Sequence, residues 1–118
     1  MIFHFEVPMI VSEKNVSDAL AYLAIDPHPV ALARKDLTDS ENAREERFAV
    51  LYRFQNQGSI KDRECAVEID TTYQDLKAAE AAAEFELERH KARIRAAEML
   101  IEVWRSENAN ARVAERVR

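Results

Sequence analysis

Apolar residues recur along most of this chain at steps of three and four, the repeat of a helix with one covered face. The exception is the start. Over residues 2–11, Phe3, Phe5 and Val7 alternate with His4 and Glu6, which predicts a short extended arm or edge strand, and Pro8 argues against a central strand. A short helix is predicted over 13–24, capped by Ser12, with Val16, Ala19, Leu20 and Leu23 on one face. The run Asp26-Pro27-His28-Pro29 then breaks the chain, because residues before proline avoid the α region.

The next helix is predicted from Pro29, a favoured first position, to about Gln57. Val30, Ala33, Leu37, Arg44, Phe48, Leu51 and Gln55 share its face, and the polar stretch 36–46 offers Asp39 or Ser40 as caps for a second piece if the helix breaks there. Gly58 suits the left-handed position just past a helix end, and Ser59 with Asp62 three residues on forms a variant capping box. Residues 57–59 are therefore the expected hairpin turn.

The last helix carries the strongest pattern. Ile69, Tyr73, Leu76, Glu80, Ala83, Leu87, His90, Ile94, Ala97, Ile101 and Trp104 alternate steps of four and three, a heptad seam. A helix over 60–104 spans about 65 Å, whereas the preceding helix covers at most about 40 Å. The C-terminal half of the seam therefore needs the N-terminal elements or another chain to cover it, and self-association through Ile69, Tyr73, Leu76, Leu87, Ile94 and Ile101 is expected. Glu80 and His90 interrupt the seam. They are either a pH-sensitive or register-setting pair, or signs that the helix rotates Ala79 inward and leaves His90 at an edge.

The predicted fold is mainly α: a long helical hairpin or coiled coil with a short extended N-terminal arm, in one domain. Its parts are an arm and short helix (1–29), a first hairpin helix (30–57), and a long helix with a basic tail (60–118). Composition agrees. Apolar residues make up 47% of the chain and charged residues 33%, enough for a modest core and too apolar for disorder, while a single glycine and three prolines leave little turn material.

Charge adds what periodicity lacks. Residues 1–88 hold 9 Lys/Arg against 18 Asp/Glu, net −9, and residues 89–118 hold 8 against 4, net +4. An acidic body with a basic end can hold an anion locally although the whole is −5. Arg89, Lys91, Arg93 and Arg95 surround His90; 89 pairs in position with 93, and 91 with 95. They form either a phosphate-tracking surface or ion pairs with Glu86, Glu88 and Glu98. Trp104 beside Arg105 has the pairing that stacks a base and holds a phosphate, and it also completes the seam.

Catalytic chemistry is not legible. His4, His28, His90 and Cys65 lack metal-ligand spacing, so no metal or cofactor is expected. The carboxylates Glu80, Glu84, Glu86 and Glu88 alternate with cations as on a solvated face, and one glycine cannot make a phosphate loop. The lone Cys65 is expected to be partly buried and excludes an intrachain disulfide, which points to a reducing, cytoplasmic location. The N-terminus lacks a basic region ahead of its apolar residues and is not expected to be a signal peptide, and no run is long and apolar enough for a membrane span.

The segment ERFAVLYRF, the turn QNQGS, the start IKDRECAVEI and the end IEVWRSENANARVAE resemble a group of small helical proteins of tailed bacteriophages. Arg105, Ser106, Ala109 and Arg112 carry the similarity at the end, and the layout resembles the UvsY-type recombination mediators over about residues 33–115. The resemblance implies an oligomeric helical mediator that binds single-stranded DNA and helps load a RecA-like recombinase where a single-strand-binding protein already sits, in the host cytoplasm. Arg63, Arg105 and Arg112 match its recurrent basic positions. The first reading is therefore a non-enzymatic mediator contacting DNA through Arg63, Arg89, Lys91, Arg93, Arg95, Trp104, Arg105 and Arg112. The alternative is a phage-encoded protein-interaction module, an inhibitor of a host nuclease or an assembly factor, acting through the acidic helix 30–57.

Overall fold

A computed structural model of the chain describes residues 11–55 and 57–117. The extended arm expected over residues 2–11, His4 included, falls outside the described residues up to position 10. Among the described residues there are four helices and no strand: α1 (Glu13–Leu23), α2 (Pro29–Phe54), α3 (Ile60–Glu68) and α4 (Thr71–Val117). They form two units. One holds residues up to His28 together with those from Ala92 onward, and the other is Pro29–Lys91.

The second unit is an antiparallel helical hairpin. Pairings between α2 and the start of α4 run in opposite directions: Arg47 meets Asp70, Phe48 meets Tyr73 with ring centroids 6.0 Å apart, and Arg44 meets Glu80. Ala33, Val67, Tyr73 and Leu87 are buried, and Val67 is sealed completely. Continuous helix replaces the break considered over 36–46. Thr38 donates its hydroxyl to the Arg34 carbonyl and Lys35 pairs with Asp39 at 2.9 Å, so Asp39, one of the two expected caps, is engaged along the helix.

At the turn, Ser59 caps α3 and exchanges hydrogen bonds with Asp62 in both directions, completing the capping box. Gly58 has φ +95°, the left-handed conformation expected of it. Its place differs from expectation: α2 ends at Phe54, so Gly58 precedes the α3 cap and does not follow the helix end directly. Arg63 locks the turn by donating to the Tyr52 carbonyl at 3.2 Å while lying 4.3 Å from that ring's centroid.

The long helix expected over 60–104 is two helices. α3 stops at Glu68 and Asp70 opens α4, accepting a hydrogen bond from the Tyr73 amide at 2.8 Å. A carboxylate ahead of two β-branched threonines favours a cap over a continued helix. Ile69 therefore sits at the break, 82% exposed and outside the covered row. From Tyr73 to Trp104 every seam position is buried or half-buried, and α4 continues 13 residues further, to Val117. Glu80, not Ala79, faces inward: Ala79 is exposed, and Glu80 meets the Arg44 guanidinium through Nε and Nη2. His90 is half-buried, its side chain 16% exposed.

In the first unit α1 packs on the later part of the seam. Ala19, Tyr22 and Ala97 form a buried cluster with Leu23, Ile94, Leu100 and Ile101 against it. The N-terminal helix thus supplies the cover that the length argument left open between it and another chain. Its face is rotated from the predicted one: Tyr22 is buried and Leu20 is 53% exposed. Tyr22 goes inside, packed in the apolar cluster with Ala19 and Ala97, and Arg93 on α4 stacks over its ring.

Candidate nucleic-acid interface

From Arg89 onward, the basic residues of α4 divide into three groups by what their charges meet. Arg89 pairs with Glu86 at 2.8 Å, Lys91 with Glu88 at 3.3 Å and Arg105 with Glu102 at 3.1 Å, each three residues apart on the helix. Two of these carboxylates are the ones foreseen as partners; the third, Glu98, makes no ion pair among the described residues. The pairs are solvent-exposed and hold their partners weakly, by a few tenths of a kcal/mol in general. Arg89 holds the Glu86 carboxyl below its ordinary value, first through the hydrogen bond and then through charge.

Arg93 belongs to the second group. Its guanidinium lies 4.0 Å from the centroid of the Tyr22 ring, a cation–π contact within the first unit. Arg63 is engaged in the same way by Tyr52 in the other unit. The structure therefore gives two of the eight candidate residues an aromatic neighbour that fixes them, and Trp104, half-buried at the seam, is partly withdrawn from solvent.

The third group is open. Arg95, Arg112 and Arg116 are exposed and form no ion pair among the described residues. Arg112 and Arg116 fall on the same face of α4 as Arg105: at 3.6 residues per turn, separations of seven and eleven rotate by only about 20° in opposite senses. The three arginines span about 16 Å of the helix axis. The sequence already carries this face, since Arg116 continues the basic character of the tail at four residues from Arg112.

A groove adjoins the buried cluster of the first unit. Its floor is Ala19, Ala96, Ala97 and Leu100, its wall is Tyr22 under Arg93, and Asn15 and Asp18 stand at its mouth, with a volume of about 290 Å³. The Tyr22 hydroxyl is buried without a hydrogen-bond partner among the described residues. Asn15 and Asp18 share a helical stripe with Tyr22 at separations of three, four and seven residues. That periodicity was present in the sequence but reads as an ordinary polar edge without Arg93 across from it.

The hairpin unit has different surface chemistry. Arg44 and Arg47 turn inward to Glu80 and Asp70, which leaves Asp36, Asp39, Glu45 and Glu46 exposed along α2. A cleft of about 340 Å³ lies between the start of α2 and α4, lined by Leu32, Ala33, Ala82 and Ala83, with Asp36, Glu86 and His90 as its polar groups. Cys65 is an exposed free thiol, not the partly buried residue expected. Among the described residues no group of three or more His, Cys, Asp or Glu is arranged to hold a metal ion, and no helix is long and apolar enough to cross a membrane. No protein-family model, curated protein or solved structure matches the chain.

Proposed function

We propose that this chain is a non-enzymatic accessory protein that binds single-stranded DNA, of the phage recombination-mediator kind its sequence resembles. The observation that carries the reading is the row of Arg105, Arg112 and Arg116 on one exposed face of α4. A row of cations on a rigid helix tracks successive phosphates, and each phosphate it neutralises releases counterions. Arg105 exchanges Glu102 for phosphate at small cost, because that pair is about two-thirds exposed on both sides.

Three contacts per chain give weak binding, and an acidic body opposes it. Self-association offsets both by bringing several arginine rows onto one strand, so avidity replaces single-site affinity. In this reading the protein works as a homo-oligomer in the host cytoplasm beside a RecA-like recombinase and a single-strand-binding protein. Titration of a labelled oligonucleotide at several salt concentrations tests it. Three phosphates on a single strand give a slope of log affinity against log salt of about −2 for each engaged chain. An affinity indifferent to salt contradicts the reading.

A second reading is favoured by the inward turn of Arg44 and Arg47. The exposed Asp36, Asp39, Glu45 and Glu46 of α2 then outnumber its exposed Arg34, Lys35 and Arg53, a balance that suits a basic protein target, as in an inhibitor of a nuclease or an assembly factor. It predicts no DNA binding at any salt and loss of partner binding when Glu45 and Glu46 are reversed.

A further inference from the structure

The groove in the first unit has features that a phosphate track does not require. Tyr22 is only 7% exposed, and its hydroxyl is buried with no hydrogen-bond partner among the described residues. A buried hydroxyl in that state lowers stability unless something else satisfies it. Its ring is fixed on two sides, by His28 edge-on at 4.9 Å and by the Arg93 guanidinium at 4.0 Å. Arg93 itself is exposed, so a planar cation is held at the groove wall by an aromatic ring. Leu100 and Ala97 make the floor apolar. At the mouth, Asn15 and Asp18 are exposed and their side chains have no partner among the described residues.

A heterocyclic base matches this arrangement part by part. Bases stack on guanidinium planes and on apolar floors, and an arginine already held on a ring loses little freedom in receiving one. A carboxylate only accepts hydrogen bonds, so Asp18 suits an exocyclic amino group such as cytosine N4 or adenine N6. Thymine presents a keto oxygen at the corresponding position, which Asp18 repels. Asn15 both donates and accepts and adapts to the neighbouring ring nitrogen or keto group. The volume of about 290 Å³ admits one base, with its sugar and phosphate left at the open mouth.

We propose that this groove seats one base of a single-stranded DNA strand, stacked against Arg93 on Tyr22 and read at its amino edge by Asp18; the proposal rests on the DNA-binding reading above. It gives that binding a preference for amino-bearing bases, which the arginine row alone cannot supply, because phosphates carry no sequence information.

The test uses the full chain and three labelled strands of equal length at one low salt concentration: oligo-dC, oligo-dT and an abasic strand with the same phosphates. Fluorescence anisotropy is expected to show oligo-dC bound about five- to tenfold more tightly than oligo-dT, with the abasic strand weakest. Asp18→Ala should bring oligo-dC to the oligo-dT level, and Arg93→Ala should bring both towards the abasic level. Arg93→Lys keeps the charge and loses the planar stack, so it should also bring both strands towards the abasic level, and it carries the test if the alanine variant misfolds; circular dichroism checks the fold of each. Equal affinity for all three strands, with binding still weakened by substitution of Arg112, overturns the base groove and leaves the phosphate track standing. Failure of every strand to bind overturns both.

Discussion

Asp70 uses one carboxylate to start α4 and to hold α2. Its Oδ2 accepts from the Tyr73 amide at 2.8 Å and from Arg47 Nε at 3.1 Å, while Oδ1 accepts from Arg47 Nη2 at 3.1 Å. The hairpin therefore closes at the residue that ends one helix segment and begins the next.

This double role has a pH signature. The hydrogen bonds from Arg47, and then that from the Tyr73 amide, hold the Asp70 carboxyl below its ordinary 3.8. A carboxyl depressed in the folded state contributes stability that is complete above its unfolded value and is lost as pH falls through the folded one. The melting temperature should hold steady from neutral pH down to about pH 5 and drop below 3.8. Asp70→Ala should lower the melting temperature at pH 7 by roughly 4 °C or more, the effect of losing one helix cap. Its acid decline should be shallower than that of the wild type. Thermal melts followed by circular dichroism across pH 2–8 check both.

Glu80 and Arg44 face each other inside the hairpin, each side chain about a quarter exposed. Glu80→Ala leaves the guanidinium without its partner and should cost about 1–3 kcal/mol in urea unfolding. The double change Glu80→Leu with Arg44→Leu should recover most of that loss, because a packed apolar pair can replace an ion pair in a partly buried seam. Equal losses in the single and double variants would contradict this recovery, showing that an apolar pair does not replace the ion pair there.

Gly58 sits at φ +95°, and a Cβ there would lie 3.0 Å from Asp62 Cβ, inside the capping box. Gly58→Val should destabilise by about 1–2 kcal/mol through backbone strain and should also loosen the start of α3. Hydrogen exchange at the Asp62 and Arg63 amides reads the second effect apart from the first.

Much of this architecture was legible in the sequence, for reasons that are local. Ser12, Gly58 and the Ser59/Asp62 pair announce their roles within a few residues, and the seam from Tyr73 to Trp104 repeats often enough to fix the inner face of α4. The break at Asp70 was masked by that same pattern: Ile69 and Tyr73 keep the four-residue step across it, and only the Asp-Thr-Thr cap signal argues otherwise. Tyr22 and Leu20 exchanged places because the inner face of α1 is set by what it packs on, Ile94, Ala97 and Leu100, more than seventy residues away. The basic candidates separated for a similar reason. Whether Arg89, Lys91 and Arg105 turn to a carboxylate three residues back, or Arg63 and Arg93 to a ring, depends on side-chain positions that spacing does not specify.

The central claim is that the arginine face at the end of α4 binds single-stranded DNA. It is tested most directly by reversing Arg105, Arg112 and Arg116 to glutamate together and titrating a labelled single strand at low salt. All three side chains are exposed, so the helical circular dichroism signal should survive. The wild type should bind with an affinity that falls steeply with salt, and the variant should lose nearly all binding. Undetectable binding by the wild type at low salt, or wild-type affinity in the folded triple variant, would contradict the account.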